Sequence, residues 1–256
     1  MPRLLPVPRG TLLDLGVFRL PGAHPARRVR AFLPALYAPD RPRPALWLFD
    51  GQNVLGDEGS YAGGWHAHEA VDRYAARKKT VAPVILAIDH GGDRRLDELT
   101  PYRLGDRGGG AEAFLTAIVD VVIPAVRGRV ALRTEPEANV IGGSSLGGLA
   151  ALYAHLTRPA VFGGAMAMSP SLFVGDGAIF SLAEATPVPW RTRVYLDAGG
   201  REAKGVIAAH AQRMHELLLR RGFPADHVLW RPDAKGTHAE KHWRRRLPKA
   251  IAFLFG

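Results

Sequence analysis

The chain has 256 residues, of which 47% are apolar and 23% charged, a balance that fits one large folded α/β domain and excludes a disordered protein. It contains no cysteine, which excludes disulfides, thiolate metal sites and a cysteine nucleophile. The net charge of +10 comes from basic residues spread along the chain, with no nucleic-acid-binding motif, and the densest run, Arg244 to Arg246, is interpreted as a solvated face. We therefore expect no specific nucleic-acid partner.

Membrane and export signals are also absent from the pattern. No stretch of about 18 apolar residues occurs, so no membrane span is predicted. The segment Met1 to Gly10 holds three prolines and lacks the apolar core of a signal peptide. We expect a cytoplasmic protein without a membrane partner.

Apolar runs of strand length alternate with segments of helical periodicity along most of the chain. Strands are predicted at residues 11–20, 28–33, 45–49, 84–88, 139–141, 161–168, 194–196 and 227–230. Helices are predicted near residues 65–78, 111–127, 146–157, 202–221 and 239–253. The first two strands alternate in polarity and suggest an antiparallel start, whereas the continuous apolar runs suit a parallel sheet. The sequence predicts an α/β fold with a mostly parallel central sheet and helices on both faces, in one domain spanning residues 1–256.

The segment from Gly142 to Gly148 contains the pattern G-x-S-x-G, centred on Ser145. A serine nucleophile must stand on a turn too sharp for bulky neighbours, which explains the flanking glycines. A short strand precedes the motif and an amphipathic helix, Leu149 to Leu156, follows it, as in a nucleophile elbow. Phosphate-loop and dinucleotide patterns do not match here. We predict Ser145 as the nucleophile and no cofactor.

A serine nucleophile needs a general base, which elbow enzymes place downstream of the serine. His238 lies in the loop between the last predicted strand and the last predicted helix, where such a base is required; alternatively, it only helps to start that helix. His238 and His242 are spaced like a metal-binding pair, but a third ligand has no obvious source. No metal site is predicted.

The acid of a triad should follow the strand that ends near Leu196. Asp197 ends that strand, and Glu202 opens the next predicted helix, where the helix dipole also favours an ordinary carboxylate. Glu202 is preferred, Asp197 is the alternative, and a serine–histidine dyad without an acid remains open.

Two backbone amides are predicted to bind the oxyanion. The amide of Leu146 stands at the start of the helix after the elbow. The second donor is expected in the loop after the third strand, where Gly51 permits close backbone approach. The amide of Gln52 is the first choice and that of Asn53 the second, although these residues also make an ordinary surface turn.

Six motifs occur in an order that carries a family resemblance. They are Asp50-Gly-Gln-Asn53; Ile88-Asp-His-Gly-Gly92 with Arg94-Arg-Leu-Asp-Glu98 and Thr100-Pro-Tyr102; Gly143-Ser-Ser-Leu-Gly-Gly148; Ser169-Pro-Ser-Leu172; Leu196-Asp-Ala-Gly-Gly-Arg-Glu202; and Gly236-Thr-His-Ala-Glu240 with Trp243. The chain resembles the putative esterase family, the esterase D and enterochelin-esterase-like branch of the α/β-hydrolases, from about residue 28 to 250. The resemblance implies an α/β-hydrolase fold and hydrolysis of carboxylic esters.

The same resemblance bears on individual site residues. It implies catalysis by Ser145 and His238, and it favours Glu202 because the family tends to carry its acid a few residues past a glycine-containing turn. Family members often have asparagine where His90 stands and an aromatic residue where Leu55 stands. We therefore expect His90 to line the substrate pocket in a non-standard way.

The resemblance also assigns further positions. Asn53 and Arg94 join His90 as candidates for the substrate pocket. Phe173 takes the place of an aromatic residue that often follows the Ser-Pro segment. Arg94, Arg95 and Glu98 are expected to form a structural or pocket network.

The predicted function is that of a serine carboxylesterase that works through an acyl-enzyme on a small-molecule ester. One alternative is an acyltransferase with the same nucleophile, and another is a catalytically inactive binding protein of this fold. The positive net charge suggests an anionic ester. The sequence predicts neither the ester nor the oligomeric state.

Overall fold

The central sheet has eight strands within the described part of the chain. The computed structural model describes residues 9–22, 24–60, 62–77, 81–188 and 191–256, so the segment Met1 to Pro8 lies outside the described residues. The strands are β1 (Thr11–Phe18), β2 (Arg27–Leu33), β3 (Ala45–Phe49), β4 (Val84–Ile88), β7 (Asn139–Ser144), β8 (Gly164–Met168), β9 (Arg193–Gly199) and β10 (Val228–Asp233), with a separate hairpin of β5 (Arg103–Leu104) and β6 (Arg107–Gly108). Their order in the sheet is β1-β2-β4-β3-β7-β8-β9-β10.

The direction of the strands confirms the predicted fold class. β2 is antiparallel to both β1 and β4, and the remaining neighbours are parallel. β8 begins at Gly164 rather than at Val161 as predicted. The amides of Val161 and Phe162 instead donate to the carbonyl of Arg158, at 3.0 Å each, and close the end of the preceding helix.

The helices follow the predicted alternation with strands. They are α1 (Ala67–Arg77), α2 (Arg95–Leu99), α3 (Ala111–Ala117), α4 (Ile123–Arg127), α5 (Leu146–Thr157), α6 (Val174–Ala185), α7 (Val206–Arg220) and α8 (Glu240–Phe255). A π-helical turn, Ile118–Val122, joins α3 to α4. The predicted end of the first helix at residue 78 lies outside the described residues. Among those described, no helix combines the length and hydrophobicity that crossing a membrane requires.

Two helices depart from the sequence prediction. Helix α6 was not predicted, because residues 175–177 read Gly-Asp-Gly and do adopt positive φ angles, between 53° and 76°, within it. Helix α7 begins at Val206 rather than at Glu202. The intervening segment, Glu202–Gly205, forms a separate 3-10 turn with left-handed residues inside it.

Alternate residues of the buried strands face opposite sides of the sheet. One side packs Leu46, Leu48, Met166 and Met168 against α1 and α8. The other side packs Trp47, Phe49 and Ile141 against α3, α4 and α5, and packs Ala165, Ala167 and Leu196 against α5, α6 and α7. Helices therefore cover both faces, and the carboxyl ends of the parallel strands stay accessible at one edge.

Helix α5 is more completely buried than the predicted amphipathic helix. Ala150, Ala151 and Ala154 belong to one apolar cluster, and Leu149 and Leu152 to another. Because other elements enclose α5 on most sides, packing fixes the position of its N-terminus next to Ser145, the residue that precedes the helix.

The fully buried His155 gives the fold a dependence on pH. Its Nδ1 donates to the carbonyl of Phe162 at 2.9 Å, and the hydroxyl of Thr192 donates to its Nε2 at 2.7 Å. Burial lowers the pKa of His155 to about 4, against 6.5 for a free imidazole. In the unfolded chain this histidine binds a proton below about pH 6.5, whereas in the folded protein it does so only below about pH 4. The free energy of unfolding therefore falls as the pH drops from about 6.5 to about 4.

We expect this group to remove up to about 3 kcal/mol of stability between pH 7 and pH 4. Urea unfolding at both pH values measures it, and His155→Gln, which keeps an amide donor and acceptor but does not titrate, should show a correspondingly smaller loss. His215→Gln on α7 is the matched control and should behave like the wild type. An unchanged pH dependence in His155→Gln would contradict the assignment.

Candidate active site

The predicted catalytic residues lie on loops at one edge of the sheet. β7, β8, β9 and β10 are consecutive neighbours and parallel. Ser145 follows β7, Ser169 follows β8, Glu202 follows β9 and His238 follows β10. Carboxyl ends of parallel strands are where ligands bind in open α/β sheets.

Ser145 occupies a strained turn between β7 and α5. Its backbone has φ 57° and ψ −120°, a conformation that a residue with a side chain rarely adopts. Its amide donates to the carbonyl of Met168 on the neighbouring strand at 3.0 Å, which anchors the turn. A Cβ atom at Gly143 would lie 2.7 Å from the carbonyl carbon of Gly147, so the first glycine of the motif is required for close approach. The local geometry is that of a nucleophile elbow.

The hydroxyl of Ser145 is partnered by a second serine. Its Oγ lies 3.3 Å from Oγ of Ser171, whose amide donates to the Ser145 carbonyl at 3.1 Å. Among the described residues, no hydrogen bond joins Ser145 to His238. The arrangement therefore holds the serine beside the Ser169–Leu172 loop.

His238 is paired with the predicted acid. Its Nδ1 lies 3.1 Å from Oε2 of Glu202, and the His238 side chain is 36% exposed, whereas that of Glu202 is fully buried. Burial acts to raise the pKa of Glu202, but hydrogen bonds from His238, Ser169 and Gly199 and the charge of Arg246 outweigh it and lower the pKa. An ionised Glu202 accepts the proton of Nδ1, which leaves the lone pair of the imidazole on Nε2.

A buried hydrogen-bond network fixes the orientation of Glu202. The hydroxyl of Ser169 receives N–H donors from Trp243 Nε1 at 2.9 Å and from Arg246 Nη2 at 2.8 Å. Neither of these N–H groups can accept a hydrogen bond. The Ser169 hydroxyl therefore donates its own proton to Oε1 of Glu202, 2.8 Å away. The amide of Gly199 donates to the same oxygen at 2.8 Å. Oε1 is saturated, and Oε2 remains for His238.

Asp197, the alternative acid, is committed to other partners. It accepts the amide of Ser169 at 3.1 Å and the hydroxyl of Tyr195 at 3.0 Å, and it lies 3.3 Å from Nε of Arg246. Burial raises the pKa of Asp197 to about 7, against the opposing effects of Arg246 and these hydrogen bonds. Within the described residues it has no hydrogen bond to His238.

Arg246 departs from the sequence interpretation of the arginine run. Arg244 and Arg245 are partly exposed, as a solvated face requires, but the side chain of Arg246 is only 7% exposed. It lies near both buried carboxylates, 3.5 Å from Glu202 Oε1 in addition to its contact with Asp197. The sequence did contain a signal that Arg246 is buried: Arg246 is three residues from the apolar Trp243, so the two share one helix face.

The two backbone amides predicted to bind the oxyanion have no hydrogen-bond partner among the described residues. These are the amides of Leu146, the first residue of α5, and of Gln52, in the 3-10 turn after β3. The amide of Asn53, the second choice from the sequence, already donates to the carbonyl of Asp50 at 2.8 Å. β3 and β7 are adjacent in the sheet, so both loops reach the same edge.

The loop that carries Gln52 is held by a partly buried ion pair. Asp50, with a left-handed φ of 56°, accepts Nε and Nη2 of Arg95 at 2.7 and 2.8 Å in a two-point contact. A Cβ atom at Gly51 would lie 2.7 Å from the backbone of Ala87, so this position requires glycine. Within the predicted network of Arg94, Arg95 and Glu98, Arg95 forms an ion pair with Asp50 and Glu98 forms one with Arg27.

The three pocket candidates occupy different surroundings. His90 donates its amide to Oε1 of Gln52 at 3.2 Å, and its Nδ1 accepts the amide of Gly92 at 2.9 Å. Burial lowers the pKa of His90, so its neutral ring carries the proton on Nε2. Asn53 is half-buried in the same loop region. Arg94 is 49% exposed, 3.6 Å from Asp97, and borders a cavity of about 470 Å³ lined by residues 93–94, 97 and 106–110.

The remaining candidates are also located. Phe173 is 46% exposed and follows the loop that holds Ser171. His242 faces Arg245, with Nη2 3.3 Å from its Nδ1. In the described part of the chain, His238 and His242 belong to no group of three metal-ligating side chains.

A mostly parallel sheet with a glycine-flanked serine on a strand–helix elbow at its carboxyl edge defines an α/β-hydrolase. The family model described as "Putative esterase" matches residues 24–254. The chain belongs to this family, which confirms the resemblance found in the sequence and supports ester hydrolysis as the general activity.

Three relatives illustrate the similarity. The uncharacterized protein YbbA of Bacillus subtilis strain 168 is 25% identical over 244 residues, which are 90% of this chain and 93% of that protein. The iron(III) salmochelin esterase of Escherichia coli O6:H1 is 24% identical over 90% of this chain and 55% of its own length. The crystal structure of the enterobactin esterase FES from Shigella flexneri, in the presence of enterobactin, aligns with a TM-score of 0.79 at 22% identity, covering 96% of this chain and 59% of that one. The chain therefore spans little more than half the length of these two esterases.

Proposed function

We propose that the protein is a serine carboxylesterase in which Ser145 attacks the ester carbonyl and forms an acyl-enzyme. His238 Nε2 takes the serine proton and returns it to the leaving alcohol. Glu202 orients the imidazole and stabilises its charged form. Water, activated by the same histidine, then releases the acid and regenerates the serine.

Stabilisation of the tetrahedral intermediate falls to the amides of Leu146 and Gln52. Both are without partners among the described residues, and the α5 dipole adds to the effect of the first. The loop of Gln52 is held by the Asp50–Arg95 pair, so its donor is positioned before the substrate binds.

The observation that supports this proposal is the buried hydrogen-bond network that holds Glu202 against His238. A carboxylate with one oxygen saturated by Ser169 and Gly199 and the other turned to an exposed imidazole is the arrangement that a triad acid needs. A purely structural ion pair does not require an exposed histidine. The proposal requires Ser145 and His238 to come within hydrogen-bond distance in the complex with the substrate.

A matched pair of substitutions tests whether Glu202 or Asp197 is the catalytic acid. Glu202→Gln should lower kcat for p-nitrophenyl acetate by about 10³–10⁴-fold, because the imidazole loses its orienting charge. Asp197→Asn should lower kcat by about tenfold at most, since Asp197 acts on Ser169, Tyr195 and Arg246 rather than on the histidine. Steady-state kinetics, with thermal melts to establish folding, measure both. If Asp197→Asn costs more than Glu202→Gln, Asp197 is the acid.

For the substrate we propose an anionic ester of the siderophore class. The names of the relatives specify enterobactin and salmochelin. In this chain, Arg94, Arg201, Lys204 and Lys235 are exposed on loops at the carboxyl edge of the sheet, where they would attract a negative substrate.

Chromatography of enterobactin incubated with the enzyme tests the substrate class. We expect hydrolysis that Ser145→Ala abolishes, with a higher kcat/KM than for p-nitrophenyl acetate and a rate that falls as salt is added. Turnover of p-nitrophenyl acetate without turnover of enterobactin would refute the substrate while leaving the esterase in place.

A further inference from the structure

Two histidines and a glutamate that take no part in the hydrogen-bond network of Glu202 converge at the start of α1. His66, His68 and Glu69 each offer a ligand atom, and the three atoms lie within 4.8 Å of one another. A tetrahedral ion with ligand bonds of about 2.1 Å holds its donors about 3.4 Å apart. His66 Nδ1 and Glu69 Oε1 are already 3.5 Å apart, and the ligand atom of His68 lies within 4.8 Å of those of the other two residues.

Hydrogen bonding prepares the first two ligands. Nε2 of His66 lies 2.8 Å from Oδ1 of Asp57, the carboxylate–imidazole contact that orients metal-bound histidines. With its proton on Nε2, the ring turns the lone pair of Nδ1 toward a carboxylate oxygen of Glu69. Two lone pairs that face each other leave room for a cation between them.

His68 supplies the third ligand. Its Nδ1 is buried and has no hydrogen-bond partner among the described residues. The rings of His66 and His68 stack with their centroids 5.8 Å apart. An orphaned buried ring nitrogen is costly unless a ligand satisfies it.

Two arginines hold the glutamate in position. Oε2 of Glu69 lies 3.2 Å from Arg73 and 3.2 Å from Arg244, which leaves Oε1 for the histidine side. The positive charges reduce the attraction for a cation, so the imidazoles must provide most of the affinity. Two imidazoles and one carboxylate select borderline transition ions over Mg²⁺ and Ca²⁺.

We propose that His66, His68 and Glu69 form a binding site for a divalent transition-metal ion, with Asp57 as the carboxylate that orients His66. This proposal does not rest on the proposed esterase function. The sequence-based expectation of no metal considered only the pair His238 and His242, and the new cluster was missed because its ligands are crowded into residues 66–69.

Isothermal titration of the untagged, chelator-treated full chain with Zn²⁺ tests the site. We expect saturable binding of one equivalent and no comparable binding of Mg²⁺. His66→Ala and His68→Ala should each weaken binding at least tenfold, and Asp57→Asn about tenfold. His242→Ala is the matched control and should bind Zn²⁺ like the wild type.

A second measurement covers variants that fold poorly. Zn²⁺ should raise the Tm of the wild type and of His242→Ala, because an ion that binds only the folded state stabilises it. The proposal is overturned if the wild type shows neither saturable Zn²⁺ binding nor a shift in Tm, or if His242→Ala weakens binding as much as His68→Ala. Loss of esterase activity in Ser145→Ala must leave Zn²⁺ binding unchanged, which separates this result from the proposed function.

Discussion

Ser145→Ala should lower kcat/KM for p-nitrophenyl acetate by about 10⁴-fold or more, leaving only the residual rate that an oxyanion site and binding provide. The hydroxyl is the sole group that changes, and the strained backbone of the elbow has the same φ and ψ requirement for alanine as for serine. The thermal melt should therefore remain close to that of the wild type. Steady-state kinetics on the purified variant give the ratio.

The matched control is Ser181→Ala on the exposed surface of α6, which should keep full activity. Ser144, next to the proposed nucleophile, is buried at the end of β7 and is not expected to substitute for it. If Ser145→Ala keeps normal turnover, the esterase mechanism proposed above is wrong at its first step.

His238→Ala should cost about as much as Ser145→Ala, again about 10⁴-fold or more in kcat. Without the imidazole, no group takes the serine proton, and Glu202 is left buried with one hydrogen-bond partner fewer. The double variant Ser145→Ala/His238→Ala should be no slower than either single variant, because the two residues act as one unit.

His242→Ala is the control for this second prediction, since His242 lies four residues further on and contacts Arg245 instead. It should retain activity within a few-fold of the wild type. Additive losses in the double variant, or a loss in His242→Ala equal to that in His238→Ala, would contradict the assignment of the base.

The fold was predictable because its signals are local and repeated. Continuous apolar runs such as Ala45–Phe49 and Val84–Ile88 are typical of strands covered on both faces, and the structure confirms both with these bounds. The sequence failed at α6, where a Gly-Asp-Gly segment has the composition of a turn. It also placed the start of α7 too early, because tertiary contacts of Glu202 override the helical pattern there.

The site was predictable where the chemistry leaves a motif. G-x-S-x-G locates Ser145, and the loop position locates His238, although the catalytic roles of both remain predictions. The support for Glu202 was not visible, because Ser169 and Trp243 lie 33 and 41 residues away from it along the chain. Their meeting depends on the register of β8, β9 and α8. Arg246 was missed for the opposite reason, since a run of arginines has the composition of a solvated surface.

Mass spectrometry after labelling with a fluorophosphonate probe tests the central claim most directly. The probe forms a stable covalent bond only with a serine that a base activates, and proteolysis locates the modified residue. We predict one adduct per chain, on Ser145, which is absent when His238 is replaced by alanine. An adduct on another residue, or labelling that persists in His238→Ala, would contradict the activation of Ser145 by His238.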